Sequence, residues 1–477
     1  MLQFFMLLNS LRLEVVVFSE FKKREDGRMQ AVLLALKKDR ILGKDRPQAL
    51  VELCGVALIE RNLRSLKSAG VTDIVVVTGH KGDMIGRRLG DGRRFGVKIS
   101  YVNDSGHEGH GDFLSVLEAA SFVEGDFILL WADGVFDSRI AGELAKQKGI
   151  TYCYDSDPSD KRGAGVLVEN GQVRAVRPGL EGAAGALVGM IVADPRIFPT
   201  LEECAGHAQD WFDTLDAVVR RHRVCALDIA RIHSYVPGMR RQVKPFWFHV
   251  ETKEDLLRCK KMLVESTQKG TLDLHAWYIN RPIENKIVYH IADFKITPNQ
   301  LTVLTNLVAW VATFLFLKGF LLAGSAVTFL VSVMDGLDGK LARAKGITTK
   351  LGHIEHSFDL LFEQSWYIGL AWYLYSSTGN PLPLKICIGI LFSDAFVRHC
   401  YMQFKEVMGV SLSDYAPFDR LFRKIGGRKN IYIYYILVGV LFKVPLYSLI
   451  GIMAHSIFTA IIYAWRACKH MKEADSR

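Results

Sequence analysis

The sequence lacks the features of an exported, disulfide-bonded protein. Its 8 cysteines show neither the paired spacing of a disulfide framework nor the clustered spacing of a metal site. We therefore expect them to be reduced packing residues in a protein that faces a reducing cytosol. Residues 1–28 begin with an apolar run, but Asn9, Arg12 and Glu14 interrupt it and no small-residue cleavage site follows. This extension is a poor signal peptide, and we assign it no function.

The first half also lacks long apolar runs, whereas the second half is dominated by them. Up to about Lys295 polar and apolar residues alternate as in a soluble α/β protein, and the long runs begin at Leu301. At 477 residues the chain has room for two or three domains. The net charge of +10 is compatible with nucleic-acid binding, but the basic residues of the second half flank the apolar segments. We therefore expect an anionic lipid bilayer as partner and no nucleic acid.

Six apolar segments predict a polytopic helical membrane domain. Strongly basic loops precede the first segment, separate the second from the third, follow the fourth and end the chain. The positive-inside rule then places these loops, both termini and the soluble domain in the cytoplasm. The predicted segments are residues 300–317, 320–336, 354–376, 382–402, 431–443 and 446–466.

Acidic side chains mark the end of the second segment. Asp335 and Asp338 follow the apolar run FLLAGSAVTFLVSVM and lie three residues apart, on one face of a helix. Ionised groups at that depth are costly unless they are compensated, so they indicate function. On the next segment, Glu355 and Asp359 form a second pair at a spacing of four. Four carboxylates from two helices predict an oxygen cage of the kind that Mg²⁺, Mn²⁺ or Ca²⁺ prefers.

The same motif predicts a nucleotide site. Arg343, about one helical turn beyond Asp338, supplies a bidentate partner for phosphate. Gly339 and Ala342 are small residues against which a flat base or a ribose can press. Carboxylates for a metal, an arginine and small residues together indicate a site for a diphosphate nucleotide near the cytoplasmic interface.

These residues resemble the motif of the CDP-alcohol phosphotransferase family, D-x2-D-G-x2-A-R followed after eight residues by G-x3-D-x3-D. Thr297, Pro298, Asn299 and Thr302 also resemble the T-P-N-x-x-T at the head of the family's first span. The resemblance runs from about Asp273 to the C-terminus. It implies a six-helix membrane fold, a pair of divalent metal ions and a homodimer. The implied reaction is attack of an acceptor hydroxyl on the β-phosphate of a CDP-alcohol, which releases CMP.

The resemblance also assigns roles to particular side chains. The implied CDP-binding residues are Asp338, Gly339, Ala342, Arg343, Asn299 and Thr302. The implied metal ligands are Asp335, Asp338, Glu355 and Asp359. Glu355 and Asp359 are the predicted catalytic carboxylates, with Asp359 as the base that deprotonates the acceptor hydroxyl.

The second half of the motif departs from the family pattern. The family's third and fourth aspartates would fall at His356 and Leu360. Glu355 and Asp359 keep the four-residue separation but lie one position earlier, a rotation of about 100° on an ideal helix. A local adjustment of the helix start would bring both into the cage, and this is the reading we favour. The alternative is that His356 is a ligand and only Asp359 is acidic; in either case Glu363 can compensate.

Further charged residues lie beyond the motif. Asp394 and Arg398 have the i,i+4 spacing of a salt bridge on the fourth segment. Arg420, Arg423 and Arg428 can bind a phosphate of the acceptor, although a charged cytoplasmic loop usually has no such role.

The first half resembles the sugar nucleotidyltransferases from about residue 30 to 265. Strands alternate with helices, which predicts βαβ units and a mainly parallel, Rossmann-like sheet. The resemblance rests on R-P-Q-A-L-V from Arg46, I-V-V-V-T-G from Ile74 and W-F-H-V-E-T-K-E-D from Trp247. Asp133, at the end of a strand, corresponds to one metal aspartate of that family.

The chemistry of this half is less complete than its pattern of elements. The family's phosphate cradle, A-A-G-x-G-x-R, is here A-L-K-K-D-R from Ala35, without a glycine. A cradle needs backbone N–H groups that approach a triphosphate closely, and bulky residues block that approach. Gln48 replaces a family lysine, and the second metal aspartate corresponds to His249 or Glu251. We therefore expect a degenerate relative, whose remaining candidate site residues are Asp133 and Glu251.

The patterns predict four parts of the chain. They are an unassigned extension (1–28), a nucleotidyltransferase-like domain (29–268), an interfacial linker helix (269–297) and a CDP-alcohol phosphotransferase membrane domain (298–477). This order resembles the bifunctional inositol-phosphate cytidylyltransferase and di-inositol-phosphate-phosphate synthase family, which implies a polyol phosphate such as inositol phosphate, or a lipid alcohol, as acceptor. The alternatives are a membrane-tethered nucleotidyltransferase and a catalytically silent nucleotide-binding scaffold.

Overall fold

The structure, a computed structural model, describes residues 29–104, 114–158, 163–205, 210–270, 272–347 and 355–476, without the side chains of Pro237, Glu355 and His356. The extension 1–28 and Gly352 of the predicted motif lie outside the described residues. All 8 cysteines are free thiols, as the sequence predicts. The described part divides into an α/β region, a linker and a helical region.

The strands of the α/β region are short and apolar. Within the described residues they are β1 (Gln30–Ala35), β2 (Glu52–Leu53), β3 (Val56–Ala57), β4 (Asp73–Thr78), β5 (Lys98–Asn103), β6 (Phe127–Trp131), β7 (Gly134–Phe136), β8 (Thr151–Asp155), β9 (Gly165–Glu169), β10 (Gln172–Arg177), β11 (Gly185–Ala193), β12 (Cys225–Asp228), β13 (Tyr235–Val236), β14 (Arg241–Gln242) and β15 (Trp247–His249).

Nine of these strands form one sheet in the order β5-β4-β1-β6-β11-β8-β12-β10-β9. β1 pairs in parallel with β4 and β6, β4 with β5, and β8 with β12. β11 and β10 run opposite to their neighbours. The prediction of a mainly parallel sheet is therefore correct for β5-β4-β1-β6 and wrong beyond it, where the sheet is mixed. Apolar runs predict burial on both faces, but they do not encode strand direction.

The helices of the described residues divide between the two regions. They are α1 (Leu58–Ser68), α2 (Gly82–Leu89), α3 (Ser138–Leu144), α4 (Phe198–Cys204), α5 (Trp211–Arg221), α6 (Lys253–Ser266), α7 (Arg281–Ile291), α8 (Pro298–Leu317), α9 (Leu321–Met334), α10 (Leu337–Lys345), α11 (Glu355–Thr378), α12 (Leu382–Met408), α13 (Leu412–Tyr415), α14 (Pro417–Phe422), α15 (Lys429–Leu441) and α16 (Pro445–Asp475).

The main sheet is buried on both faces. Leu33 and Val76 belong to the core on one face, and Val32 and Val75 to the core on the other. This alternation follows from the two-residue side-chain period of a strand. Because β1 and β6 pair in parallel, their carboxyl ends lie side by side, and Asp133 follows the end of β6.

The helical region packs around a separate apolar core. Phe316 of α8, Phe362 and Trp366 of α11 and Ile452 of α16 are fully buried in it. The Trp366 indole Nε1 donates to the Ala309 carbonyl at 3.0 Å, which joins α11 to α8. Each of the six predicted apolar segments overlaps one helix: α8, α9, α11, α12, α15 and α16.

Three helical stretches among the described residues are long and apolar enough to cross a membrane. They are Pro298–Leu317, the stretch Leu321–Lys345 that contains α9 and α10, and Pro445–Asp475. Over their described residues, the other helices of this region do not combine the required length with a sufficiently apolar composition. The six predicted spans thus remain a prediction, of which length and composition support three.

The linker precedes the helical region, and the α/β region contacts α10 directly. The linker contains a π-helical turn, Ala276–Asn280, followed by α7, close to the predicted position of an interfacial helix. Arg61 of α1 donates to the Leu53 carbonyl at 2.7 Å and to the Ala344 carbonyl at 2.7 Å. Residues of both regions, among them Cys54 and Leu341, share one buried apolar cluster. Contacts with the α/β region therefore fix the position of α10, the helix that carries the acidic motif.

Candidate active site

Asp338 and Thr302 meet where α10 crosses α8. Asp338 is only 3% exposed, and its Oδ2 accepts a hydrogen bond from Thr302 Oγ1 at 2.5 Å. Its Oδ1 accepts from the backbone N–H of Gly339, also at 2.5 Å. The structure thus brings together two residues that the sequence places far apart and that the resemblance assigns to one nucleotide site.

Asp335 lies at the turn between α9 and α10 and uses its two oxygens differently. Oδ2 lies 2.8 Å from Lys429 Nζ. Oδ1 is buried and has no hydrogen-bond partner among the described residues. A buried carboxylate oxygen without a partner is energetically costly, so this oxygen is the natural contact for a cation.

The carboxylates of α11 lie opposite this turn. Asp359 and Glu363 are 8% and 3% exposed, so both face the helix bundle. Glu363 Oε1 lies 3.0 Å from the same Lys429 Nζ, and its other oxygen pairs with Arg398. Lys429 at the start of α15 therefore connects the turn between α9 and α10 to α11.

Arg398 also confirms a prediction. Its Nε lies 3.1 Å from Asp394 Oδ2, which is the i,i+4 salt bridge expected on the fourth apolar segment. Because Arg398 contacts Glu363 as well, the pair continues the charged network from α12 to α11 rather than standing alone.

Only part of the predicted four-carboxylate cage lies within the described residues. Glu355 lies at the first residue of α11, but its side chain and that of His356 are outside the described residues. In the part of the chain that is described, no group of three or more histidine, cysteine or acidic side chains is arranged as a metal site. The oxygen-rich chemistry of Asp335, Asp338 and Asp359, with the unpartnered Asp335 Oδ1, still fits a hard divalent cation. The cage and the choice between Glu355 and His356 remain predictions.

The other predicted nucleotide contacts line α10 and the start of α8. A Cβ on Gly339 would lie 3.1 Å from Arg343 Nη1, so a larger residue there would crowd the guanidinium. Arg343 Nε donates to the Thr267 carbonyl at 2.9 Å, which ties the arginine to the end of the α/β region. Ala342 is half-buried, and Asn299 is exposed in the first turn of α8.

The α/β region has a second acidic site at Asp133, where donors contact one carboxylate oxygen and the other, Oδ1, is buried without a partner among the described residues. Asp133 Oδ2 lies 3.4 Å from Lys37 Nζ, 3.0 Å from Gln48 Nε2 and 3.2 Å from His249 Nε2. Burial opposes ionisation of Asp133, but the hydrogen bonds and charges of His249 and Lys37 outweigh it and lower its pKa. Glu251 lies 3.5 Å from the other ring nitrogen of His249. Lys37, Gln48 and His249 thus contact one oxygen of this carboxylate, whereas Oδ1 remains an acceptor that a cation can contact.

The loop after β1 closes on itself rather than forming a phosphate cradle. Asp39 is buried and accepts from Arg46 Nε at 3.0 Å and from the backbone N–H of Leu42 at 2.9 Å. The Asp39 backbone N–H donates to the Arg46 carbonyl at 2.8 Å. These bonds use groups that a glycine-rich loop would offer to a triphosphate. That the site is degenerate stays a prediction.

Comparison with known proteins identifies the class of the helical region. Residues 295–464 match the model of the CDP-alcohol phosphatidyltransferase family. The chain is a transferase that carries a C-terminal CDP-alcohol phosphatidyltransferase domain.

Individual relatives share both regions. The bifunctional IPC transferase and DIPP synthase of Thermococcus kodakarensis is 25% identical, over 87% of this chain and 91% of its own length. The protein of the same description from Archaeoglobus fulgidus is 27% identical, over 88% of this chain and 81% of its own length. Among solved structures, the inositol-1-phosphate CTP transferase from T. maritima has a TM-score of 0.41 and 17% identity, covering 57% of this chain and 99% of that chain.

Sequence reasoning missed Lys429. In the sequence it is one of several basic residues in the loop before the fifth apolar segment, and nothing in the spacing connects it with Asp335. The available signal was the general expectation that a carboxylate buried among helices has a compensating positive charge nearby. Sequence reasoning also missed the buried ion pair between Lys340 and Glu284, in which Lys340 Nζ lies 2.9 Å from Glu284 Oε2.

Proposed function

We propose that the C-terminal domain transfers a phosphoalcohol group from a CDP-alcohol to the hydroxyl of an acceptor and releases CMP. The observation that carries the proposal is the junction of α8, α9 and α10, where Thr302 binds Asp338 and where Asp335 keeps one buried oxygen without a partner among the described residues. The matched family and the two-region relatives support the same reaction.

In this mechanism the acceptor hydroxyl oxygen attacks the β-phosphorus of the CDP-alcohol. The bond from that phosphorus to the oxygen bridging the two phosphates breaks, and CMP leaves with this oxygen. Asp359 accepts the hydroxyl proton. Arg343 orients the diphosphate, and Gly339 and Ala342 allow the nucleoside to approach α10. A divalent ion, Mg²⁺ or Mn²⁺, held by Asp335 and Asp338 with Asp359 and Glu355 completing the set, would supply charge neutralisation at the diphosphate.

The acceptor in this proposal is a polyol phosphate such as inositol phosphate, or a lipid alcohol. The relatives are described as IPC transferases and DIPP synthases, which favours the inositol phosphate. Arg420, Arg423 and Arg428 then supply positive charge for the acceptor's phosphate. The domain acts as a homodimer in the bilayer, with six spans and with both termini and the α/β region in the cytoplasm.

The α/β region is not the source of the CDP-alcohol in this proposal. Lys37, Gln48 and His249 contact one oxygen of Asp133, and the loop after β1 is bonded to itself. A nucleotidyltransferase would need this carboxylate for a metal ion and this loop for a triphosphate. The CDP-alcohol must therefore come from a separate cytidylyltransferase reaction, and the α/β region serves to hold α10.

The deciding experiment is release of CMP by the detergent-purified full chain with Mg²⁺ or Mn²⁺, against a panel of CDP-alcohols and acceptors. Asp338→Asn should abolish release, whereas the control Asp475→Asn, an exposed aspartate at the end of α16, should leave it unchanged. Release of pyrophosphate from CTP and an alcohol phosphate would instead favour a tethered nucleotidyltransferase. Binding of CDP without release of either product would favour a silent scaffold.

A further inference from the structure

We infer that Lys429 is a built-in counterion that takes the place of one of the two divalent ions implied by the family resemblance, so that the domain binds a single divalent ion. This inference rests on the proposed function, because it concerns the metal requirement of the same site. The family resemblance implies a pair of ions, and the position of Lys429 disagrees with that.

The first argument is position. The Lys429 ammonium lies between the motif turn and α11, 2.8 Å from Asp335 Oδ2 and 3.0 Å from Glu363 Oε1. A cation that bridged these two oxygens would have to occupy the place of this ammonium. Lysine is a compact point charge with three donors, so it can satisfy oxygens from two helices at once.

The second argument is burial and fit. The Lys429 side chain is 11% exposed and the Glu363 side chain 4%, so the contact is shielded from water. Its charge also lies over the Phe362 ring, 5.2 Å from the centroid. The ammonium is therefore largely buried. Displacing it would be energetically costly, because a buried charge would lose its partner.

The third argument is the division of Asp335. Oδ2 is used by Lys429, while Oδ1 is buried without a partner in the described part of the chain. One carboxylate thus faces the ammonium on one side and has a free acceptor on the other. That arrangement leaves Oδ1 as the acceptor for a divalent ion, because Oδ2 is already used by the ammonium.

The test is the number of Mn²⁺ ions bound by the full chain in detergent, counted by electron paramagnetic resonance of free Mn²⁺ during a titration. The wild-type protein should bind one ion per chain, and Asp335→Asn should lose it. Lys429→Met, which keeps the stem and removes the charge, should bind two. Lys424→Met, an exposed lysine of the same loop, is the matched control and should still bind one.

Two results would overturn the inference: two ions bound by the wild-type protein, or an unchanged count of one in a folded Lys429→Met. If Lys429→Met does not fold, the wild-type count decides alone, and Lys429→Arg, which keeps the charge, should again bind one ion. Failure of the proposed function is seen separately, as absence of CMP release by a wild-type protein that binds Mn²⁺ with this stoichiometry.

Discussion

The buried pair of Lys340 and Glu284 offers the sharpest prediction about stability. Lys340 Nζ lies 2.9 Å from Glu284 Oε2 and 2.5 Å from Asn285 Oδ1, and the two charged side chains are 3% and 9% exposed. Lys340→Met keeps the packing of the stem and leaves the Glu284 carboxylate buried without its cation. Breaking a pair buried to this degree costs about 3–5 kcal/mol. We expect this loss of stability to affect α10 most, because Lys340 lies on that helix, which carries the acidic motif.

The penalty should depend on pH. Burial raises the pKa of Glu284, while the charge and hydrogen bond of Lys340 act against this rise. Without Lys340 the pKa rises further, so the folded variant takes up a proton more readily than the unfolded chain does. An acid whose folded pKa lies above its unfolded value loses stability as pH rises through the folded pKa. The deficit of Lys340→Met should therefore be larger at about pH 8 than at about pH 5.

Thermal unfolding of the detergent-purified protein at both pH values measures this deficit. The double variant Lys340→Met with Glu284→Gln should recover most of the lost stability, because it leaves no buried charge. Lys286→Met, an exposed lysine on the same linker helix, is the control and should unfold like the wild type. Equal stability of Lys340→Met and the control, or a double variant as unstable as the sum of its single changes, would refute the reasoning.

Three other predictions concern the α/β region and its contact with α10. Arg61→Met removes a charged hydrogen bond to the Ala344 carbonyl, worth about 1.5–3 kcal/mol, and should increase amide hydrogen exchange in α10 without unfolding the sheet. Burial lowers the pKa of His249, but the hydrogen bond and charge of Asp133 outweigh it and raise the pKa. The stabilisation that His249→Gln removes should thus be complete below about pH 6.5 and vanish as pH rises through the raised pKa, as read from melting temperatures. Gly55→Ala should lower the melting temperature through a cost of about 1–2 kcal/mol, since Gly55 has a φ of 70° and a Cβ there would lie 3.0 Å from the Ala292 carbonyl oxygen.

Much of the architecture could be predicted from the sequence because it depends on local patterns. The six apolar segments overlap six helices, and the run AVLLA of β1 marks a strand buried on both faces. The direction of β10 and β11 was not predictable in the same way. A strand's residues determine which faces are buried, whereas its direction depends on how the connecting chain returns to the sheet.

The candidate site, too, could be predicted from the sequence only where it depends on local spacing. The spacing of Asp335 and Asp338 at the end of an apolar run already indicates functional carboxylates, because their cost in that setting is a property of the residues themselves. The spacing of Asp394 and Arg398 likewise predicts their salt bridge, since both lie on one helix.

Contacts between elements were decided only by the tertiary structure. Helical periodicity predicts which face of α15 carries Lys429. The residues that this face contacts depend on how α15 packs against α9 and α11. The sequence by itself therefore determined the carboxylates, the small residues of α10 and the missing glycine cradle. Folding decided that the Lys429 ammonium lies between Asp335 and Glu363, because charges buried between helices must be paired with the groups that the packing brings to them.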